Sequence, residues 1–325
     1  AEVLGLVKTK KERPTIRISG KEFTAKIPAE QFRLVLADCD KRAYQHKDGT
    51  RANYCNAGYF GAYNEQRSAF TLPAGHLAAD FEATNRFTGK YCKERGTLVE
   101  GSFWFDGSKW GYQNKMYGKA VSTLTVTDGK AKIGEIKELP YCDYAVAGIP
   151  VVRGGKAVDS KTALGQGWDS SSLRATYHIF LCLQGDGYVY VLGRKTASGN
   201  LLSGGEGAKL CAGYTDAIKL DGGGSYFAQA AGVKITTGGS RRICSVIDLG
   251  GNPYMEPTVV LKKGTWHAEG VKWLQWELNY AGDYGLAEDG KFGAATDAAL
   301  RDYQGKHGLT VDGKCGPGTR AELKR

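Results

Sequence analysis

The sequence predicts an α+β protein: a β-rich mixed-sheet body followed by a small three-helix domain. Three observations carry this. Short apolar or alternating runs, separated by Gly and Asp-Gly, fill most of the chain up to about residue 260 and read as strands and turns. The 46 glycines among 325 residues are about double the usual share, and without a Gly-X-Y period they signal tight turns, not collagen. From Ala268 onward the pattern changes to apolar residues at helical spacing, interrupted by a turn that occurs twice.

Taken in order, the strand candidates are Thr15–Ser19, Phe32–Ala37, Leu124–Thr127 before Asp128-Gly129, Ile179–Leu183 before Asp186-Gly187, Tyr188–Leu192 and Ala217–Leu220. One helix is marked inside the body. Ser203-Gly-Gly-Glu206 fits a capping box, and Ala208, Leu210 and Cys211 supply apolar positions after it. Residues 252–267 hold Pro253 and Pro257 and read as a linker at their end, with Thr258–Leu261 open to a second reading as the last strand of the body. The expected domains are therefore 1–262 and 268–325. In the second, Val271, Leu274 and Leu278 fall at i, i+3, i+7. Asp289-Gly-Lys-Phe-Gly293 leads into Thr296, Ala299, Leu300 and Tyr303, and Asp312-Gly-Lys-Cys-Gly316 leads into Thr319 and Leu323. Asp-Gly suits a turn needing positive φ, and the two threonines are candidate caps for the helices that follow.

Composition narrows the classes. With 42% hydrophobic and 24% charged residues the chain has enough apolar surface for a packed core. Its longest apolar runs, such as Ala145–Val152 and Ile179–Leu183, fall far short of the ~20 residues that span a bilayer, so no membrane span is expected. Ala1–Arg13 lacks the apolar core of a signal peptide, consistent with a leader already removed or with none. The formal charge is +10. Residues 268–325 carry eight basic and nine acidic side chains, so all the positive excess lies in the body. A positive field there would draw an anionic ligand; lysines that serve only solubility are the alternative. Eight cysteines without a C-x-x-C pair argue against structural zinc, and leave buried free thiols and disulfides of an exported protein both open.

The strongest local signal is Ala217-Ile-Lys-Leu-Asp-Gly-Gly-Gly-Ser225, a strand that ends in an acid, three glycines and a hydroxyl. Bare backbone N–H groups of Gly222, Gly223 and Gly224, with Ser225, suit an anion; a plain hairpin turn is the alternative. Trp104, Trp110 and Trp168 are candidates for sugar stacking or core packing, and His178, inside an apolar run, reads as a core histidine.

Set beside Asn56-Ala-Gly-Tyr-Phe60, Gly148-Ile-Pro-Val-Val-Arg-Gly-Gly155, Arg174, Gly193-Arg194, Glu206, Asp216 and Arg241-Arg242, the Asp221–Ser225 segment resembles the phosphodiester glycosidase family, in the family's order from about residue 50 to 248. Two departures are visible: Ala57 replaces a glycine, and Ser172-Leu-Arg-Ala lacks the histidine of the corresponding family segment. The tail resembles the peptidoglycan-binding domain found at the ends of many cell-wall hydrolases, on Val271-Lys-Trp-Leu-Gln275, the two Asp-Gly-Lys units, Tyr303-Gln304 and His307-Gly-Leu309.

Together these resemblances imply a hydrolase that cuts the C–O bond between an anomeric carbon and a phosphodiester in an anionic wall polysaccharide, such as a teichoic-acid-type polymer. They imply peptidoglycan binding through 268–325, an extracellular or wall-associated location (with lysin-type release also compatible), and no nucleic-acid partner. A phosphate monoester leaves easily, so this chemistry asks less of a general acid than of charge neutralisation and a carboxylate. Asp221 is the expected carboxylate, Arg174 and Arg194 the phosphate clamps, and Asn56 the ligand of a sugar hydroxyl or the phosphate. Gly222, Gly223, Gly224 and Ser225 form the expected cradle, with Asp216 and Glu206 as further binding candidates. Each has a structural alternative: ion pairing for Arg174, a turn for Arg194, a helix cap for Glu206 and a strand buttress for Asp216. Two other functions stay open, a non-catalytic wall-glycan binder and a metal-assisted phosphodiesterase cutting P–O. No His/Asp cluster has metal-ligand spacing, although a Ca²⁺ held by carboxylates and carbonyls is compatible with the sequence.

Overall fold

The fold is that of a computed structural model, which describes residues 12–36, 53–57, 61–62, 97–98, 104–105, 110–111, 120–137, 140, 142–168, 173–174, 176–197, 201–202, 205–237 and 245–325. The architecture is α+β, with β-sheets in the body and helices at the C-terminus. By compactness the chain divides into two units, Ala1–Ala230 with Lys234–Gly251, and Ala231–Val233 with Asn252–Arg325.

Strands and helices are labelled in chain order. In the larger unit the main sheet runs β1 (Thr15–Ser19), β2 (Glu22–Pro28), β15 (Tyr188–Lys195), β14 (Tyr177–Leu183), β16 (Asp216–Gly222), β12 (Ile149–Arg153) and β13 (Lys156–Ala157). Its paired neighbours are antiparallel. A second sheet orders β10 (Lys130–Ile136), β9 (Val121–Thr127), β11 (Tyr144–Ala147), β7 (Trp104–Phe105) and β8 (Trp110–Gly111). A third orders β18 (Val233–Thr236), β17 (Phe227–Ala230), β4 (Tyr54–Asn56), β19 (Ser245–Asp248) and β3 (Arg33–Leu36). A short pair joins β5 (Gly61–Ala62) to β6 (Thr97–Leu98).

The main sheet is buried on both faces, which is why β14 and β16 read as nearly continuous apolar runs. Ile179 and Leu181 of β14 join Ile218 and Leu220 of β16 in one core. Phe180 and Cys182 join Ala217 on the other face, with Ile149, Trp168 and Leu173. Trp168 is thus a core residue and not a surface platform; the side chains of Trp104 and Trp110 lie outside the described residues. Strands β2 and β10 go beyond the sequence expectation, and β2 buries Phe23, Ala25 and Ile27 on alternate positions. Cys55, Cys142, Cys182, Cys211 and Cys315 are free and buried.

Helix α1 (Ser160–Gly165) is capped by the Asp159 carboxylate, which accepts from Thr162 N–H. Helix α2 (Glu206–Leu210) starts later than the expected capping box implies. Its cap is Gly205 in the left-handed region, and Ser203 lies outside the described residues.

The smaller unit holds α3 (Ala268–Gly282), α4 (Ala294–Lys306) and α5 (Pro317–Leu323) around their own core of Val271, Leu274, Leu278, Phe292, Leu300, Tyr303 and Leu323. The two Asp-Gly-Lys turns are built alike. Gln275 donates to Asp289 Oδ1 and the Lys291 carbonyl and accepts from Gly290 N–H. Gln304 does the same with Asp312, Lys314 and Gly313. Thr296 and Thr319 do not cap helices; the caps are Gly293 and Gly316. Each threonine hydroxyl instead donates back to the turn, to the Lys291 and Lys314 carbonyls. Thr258–Leu261 is not a strand of the body either: Leu261 pairs with Cys315 inside this unit. Asn252, which donates to the Trp273 carbonyl and Glu277, ties the start of the unit to α3. Among the described residues no helix is long and apolar enough to cross a membrane.

Candidate active site

Strand β16 carries the site at its C-terminal end. Where it pairs with β14 the register passes from His178 opposite Gly222 to Phe180 opposite Lys219, so three steps on β16 meet two on β14. The irregularity lies between Lys219 and Gly222, the stretch that contains Asp221, and is of the kind that re-aims a side chain beside a functional site. Gly222 has to be glycine: a Cβ there would lie 2.3 Å from the Tyr177 carbonyl oxygen and 2.8 Å from His178 Nδ1.

Asp221 is pinned from the third sheet. Its N–H donates to the Ala57 carbonyl at 3.2 Å, and Asn56 Nδ2 donates to its carbonyl at 2.9 Å. Asn56 Oδ1 accepts Phe227 N–H at 2.9 Å, so one buried amide joins β4 to both flanks of the glycine turn. Asn56 therefore holds the site's frame, where the sequence had suggested a ligand for sugar or phosphate; its two functional groups bind backbone. The Asp221 carboxylate accepts the Gly222 N–H at 2.8 Å through Oδ1. Gly223–Ser225 form a 3₁₀ turn, with Gly223 at φ +59° and Gly224 exposed. The Thr237 hydroxyl steadies it through the Gly223 carbonyl, and Ser225 is buried beneath.

His178 stands between this turn and both arginines. It pairs with Arg194 on β15, and its Nε2 lies 3.0 Å from the Arg174 carbonyl. A carbonyl only accepts, so Nε2 carries the proton and Nδ1 holds the lone pair. Nδ1 is buried without a hydrogen-bond partner. Burial, and secondarily the Lys219 charge, push the His178 pKa down to about 3, so the ring is neutral at ordinary pH. It is a core histidine, as the sequence suggested, but one whose second nitrogen is left unmet.

The two arginines differ. Arg174 is exposed, and among the described residues its guanidinium makes no hydrogen bond or ion pair. Arg194 is half-buried and committed to β2, donating to the Phe23 carbonyl and Thr24 Oγ1 and to the Gly193 carbonyl. Arg174 is thus the better placed to meet a phosphate. Glu206 accepts the Ala197 N–H in the segment after β15, acting as a latch. Asp216 lies at the opposite end of β16, about 17 Å from Asp221 at the usual rise per residue. There it accepts Gly154 N–H and lines a separate cavity of about 260 Å³ with Lys132, Tyr188 and Thr215. The structure does not bring Asp216 to the glycine turn. Arg241 and Arg242 lie outside the described residues, and Gly148, just before β12, has no room for a side chain, since a Cβ there would lie 2.6 Å from the Lys219 carbonyl oxygen.

One residue escaped the sequence reading. Lys219 is 2% exposed on the same sheet face as Ile149 and Phe180, its register partners. Burial lowers its pKa to about 7 against the opposing pull of Asp221. The available signal was period two: Lys219 alternates with Ile218 and Leu220 in a strand whose other face also packs. Among the described residues no three His, Cys, Asp or Glu side chains gather as metal ligands, so the carboxylate set a Ca²⁺ would need is not assembled there.

Comparison with known proteins bears first on the tail. Residues 267–323 match the family model described as "Putative peptidoglycan binding domain". The C-terminal helices are a peptidoglycan-binding-type domain. A likeness to the SleB N-terminal domain has 40% identity and covers 21% of this chain and 93% of that one, with a TM-score of 0.20. Two likenesses that cover more of the chain are distant. The catalytic domain of zebrafish N-acetylglucosamine-1-phosphodiester alpha-N-acetylglucosaminidase, auto-inhibited by its pro-peptide, matches at 11% identity, covering 73% of this chain and 83% of that one, TM-score 0.46. A hypothetical protein from Synechocystis matches at 15% identity over 72% of this chain and 61% of that one, TM-score 0.38. No curated protein matches the chain.

Proposed function

We propose that this protein is a cell-wall-associated hydrolase that cleaves the sugar-1-phosphate C–O bond of a phosphodiester-linked wall glycan of teichoic-acid type. In this reading the larger unit, which ends at Gly251, performs the chemistry, and 268–325 in the smaller unit hold the enzyme on peptidoglycan. The observation that carries it is the pinned Asp221. The backbone of Asp221 is held at a strand end by two hydrogen bonds, beside an exposed glycine turn, and across from Gly222 His178 meets the carbonyl of Arg174, whose guanidinium is uncommitted among the described residues. The motif resemblance to phosphodiester glycosidases and the net positive body support the same substrate class.

Arg174 meets the phosphate and offsets the charge that builds on the leaving oxygen as the C–O bond breaks. The N–H groups at the start of the 3₁₀ turn face the same anion. Asp221 stabilises the oxocarbenium-like carbon or takes a proton from the attacking water. Asn56 keeps Asp221 in register, and Arg194 braces the sheet edge.

The test is hydrolysis of a GlcNAc-1-phosphate diester and of purified teichoic acid in ¹⁸O-labelled water. Label in the sugar, with an unlabelled phosphomonoester, is the expected result. Label in phosphate would make it a phosphodiesterase. Absence of turnover on both substrates, with binding to purified wall retained, would make it a wall-glycan binder. Asp221→Asn should lower kcat at least a thousandfold while leaving circular dichroism and wall binding unchanged.

A further inference from the structure

The Arg174 side chain is exposed and uncommitted among the described residues, so the place it occupies is set by its backbone. That backbone belongs to the segment that leads into β14, and hydrogen bonds tether the segment at three points. The Leu173 carbonyl accepts the Leu201 N–H at 2.7 Å. Thr176 N–H donates to Thr196 Oγ1 at 2.7 Å, and the Thr176 carbonyl accepts the Thr196 N–H at 2.9 Å. Between these two lies the Arg174 carbonyl, met by His178 Nε2 at 3.0 Å. This last tether is the one on Arg174 itself.

The same histidine faces the glycine turn. It is the register partner of Gly222, and a Cβ on Gly222 would lie 2.8 Å from its Nδ1. Gly223 approaches the segment as well, since a Cβ there would lie 3.6 Å from Thr176 Cγ2. One imidazole therefore has the turn at one nitrogen and Arg174 at the other. The arrangement leaves a buried acceptor unmet, because Nδ1 has no hydrogen-bond partner among the described residues, and that is destabilising. A phenylalanine would fill the same space without an unmet nitrogen, as Phe180 does two residues on, with its ring edge-on to His178. What a hydrocarbon ring could not do is donate to Arg174.

We propose that His178 is a positioning residue for Arg174: its Nε2–H holds the Arg174 carbonyl and so fixes the arginine's backbone at a set place beside the Gly222–Gly224 turn. This rests on the reading that Arg174 meets the phosphate. A long, exposed arginine can reach many places, and anchoring its backbone confines that reach to the side of the turn where the anion binds. Burial keeps the ring neutral, so the tether adds no second charge to compete for that anion.

The experiment uses the full-length protein and two readouts. The first is ¹⁵N NMR of the His178 ring at pH 7, where Nε2 should carry the proton and Nδ1 should be bare. A proton on Nδ1 overturns the proposal, whatever the protein hydrolyses. The second is turnover of the GlcNAc-1-phosphate diester by a set of variants. His178→Phe should lower kcat/KM at least tenfold, and His178→Asn, whose amide falls short of Nε2, should do the same. His178→Gln, whose amide nitrogen reaches about as far as Nε2 and donates, should restore activity to within threefold of wild type. In an Arg174→Ala background, His178→Phe should cost less than a further twofold. Equal losses in both backgrounds, or a glutamine no better than phenylalanine, would show that the ring merely fills space and overturn the proposal. Should His178→Phe fail to fold, His178→Gln decides, since a tenfold loss there also overturns it. If the tautomer is as expected while the wild-type protein hydrolyses nothing, the hydrolase reading fails and the tether from His178 to Arg174 stands.

Discussion

The two units organise their buried polar groups over very different distances along the chain. In the C-terminal unit Gln275 closes a turn 14 residues ahead, and Gln304 one only eight ahead. In the larger unit Asn56 binds Asp221 and Phe227, 165 and 171 residues away. Ordering a short loop costs less chain entropy than closing a long one. The helical unit can therefore be built turn by turn, whereas the Asp221 site exists only after the third sheet and the main sheet are both paired. A defect in one turn of the tail should stay local, and a defect at the site should be felt by the whole larger unit.

The sharpest way to break that contrast is to add a methyl group at a glycine in each unit. In Gly222→Ala the new carbon meets the Tyr177 carbonyl at 2.3 Å, so backbone has to move in the middle of a paired sheet. A loss of about 3 kcal/mol or more is expected. Gly290→Ala puts a Cβ 2.9 Å from the Ala268 carbonyl at φ +75°, on a turn at the surface; about 1–2 kcal/mol is expected there. Urea unfolding followed by amide hydrogen exchange would assign each loss to its unit. Equal losses in the two variants, or a Gly222→Ala effect confined to the glycine turn, would remove the distinction.

The same difference in range explains what the sequence revealed. In the tail, Val271, Leu274 and Leu278 and the repeated Asp-Gly-Lys turn are local signals, and the helices fall where they point. Only the role of Thr296 and Thr319 was misread, because a hydroxyl three residues into a helix resembles a cap until the turn before it is seen. In the larger unit Thr15–Ser19 and the heart of β14, β15 and β16 were legible from apolar runs and Asp-Gly turns. Strand β10, with Lys130, Lys132 and Glu135 among its residues, was not, because one of its faces is wet. The members of the candidate site could be listed, but not sorted. Nothing local distinguishes Asn56, spent on backbone, from Arg174, uncommitted among the described residues, or places Asp216 and Asp221 at opposite ends of one strand. Lys219 was missed because a lysine in a strand ordinarily marks the solvent face.

Acid and base should separate the units next. His178 falls from an unfolded value near 6.5 to about 3 on folding, so between those limits the unfolded chain binds the extra proton. Stability of the larger unit must then fall as pH drops from about 6.5 to 3, by at most about 1.4 kcal/mol per pH unit for this one group. Lys219 works in the same sense at higher pH. It is held at about 7 against an unfolded value near 10.4, so stability rises as pH climbs from about 7 to 10.4. The tail responds in the same sense but only at lower pH. Hydrogen bonds from Gln275 and the Lys291 N–H hold Asp289 below its usual range, and the Lys314 N–H and Gln304 do the same for Asp312. Their contribution is whole above the ordinary carboxylate pKa and is lost only as pH falls through the depressed values. Unfolding at pH 5 should therefore begin in the larger unit, and His178→Phe should flatten its slope between pH 6.5 and 3. A tail that loosens first at pH 5 would contradict these assignments.

The smallest effects test whether the two turns of the tail are physically equivalent. Gln275 and Gln304 each give three hydrogen bonds to one turn, two donated and one accepted, and both side chains are buried. Truncation to alanine leaves the Gly290 or Gly313 N–H without its partner, while the lysine carbonyl keeps the threonine hydroxyl, and this costs about 1–3 kcal/mol. Because the partners match one for one, Gln275→Ala and Gln304→Ala should cost the same within about 0.5 kcal/mol, and the double variant should be additive at that precision. Inequality would have a specific meaning. The Gln275 amide also lies 3.3 Å from Thr296 Oγ1, whereas the second turn carries the Cys315–Leu261 bridge beside it. A larger loss at Gln304 would show that this bridge depends on the turn, and that the copy nearer the C-terminus anchors residues 252–261 to the helices.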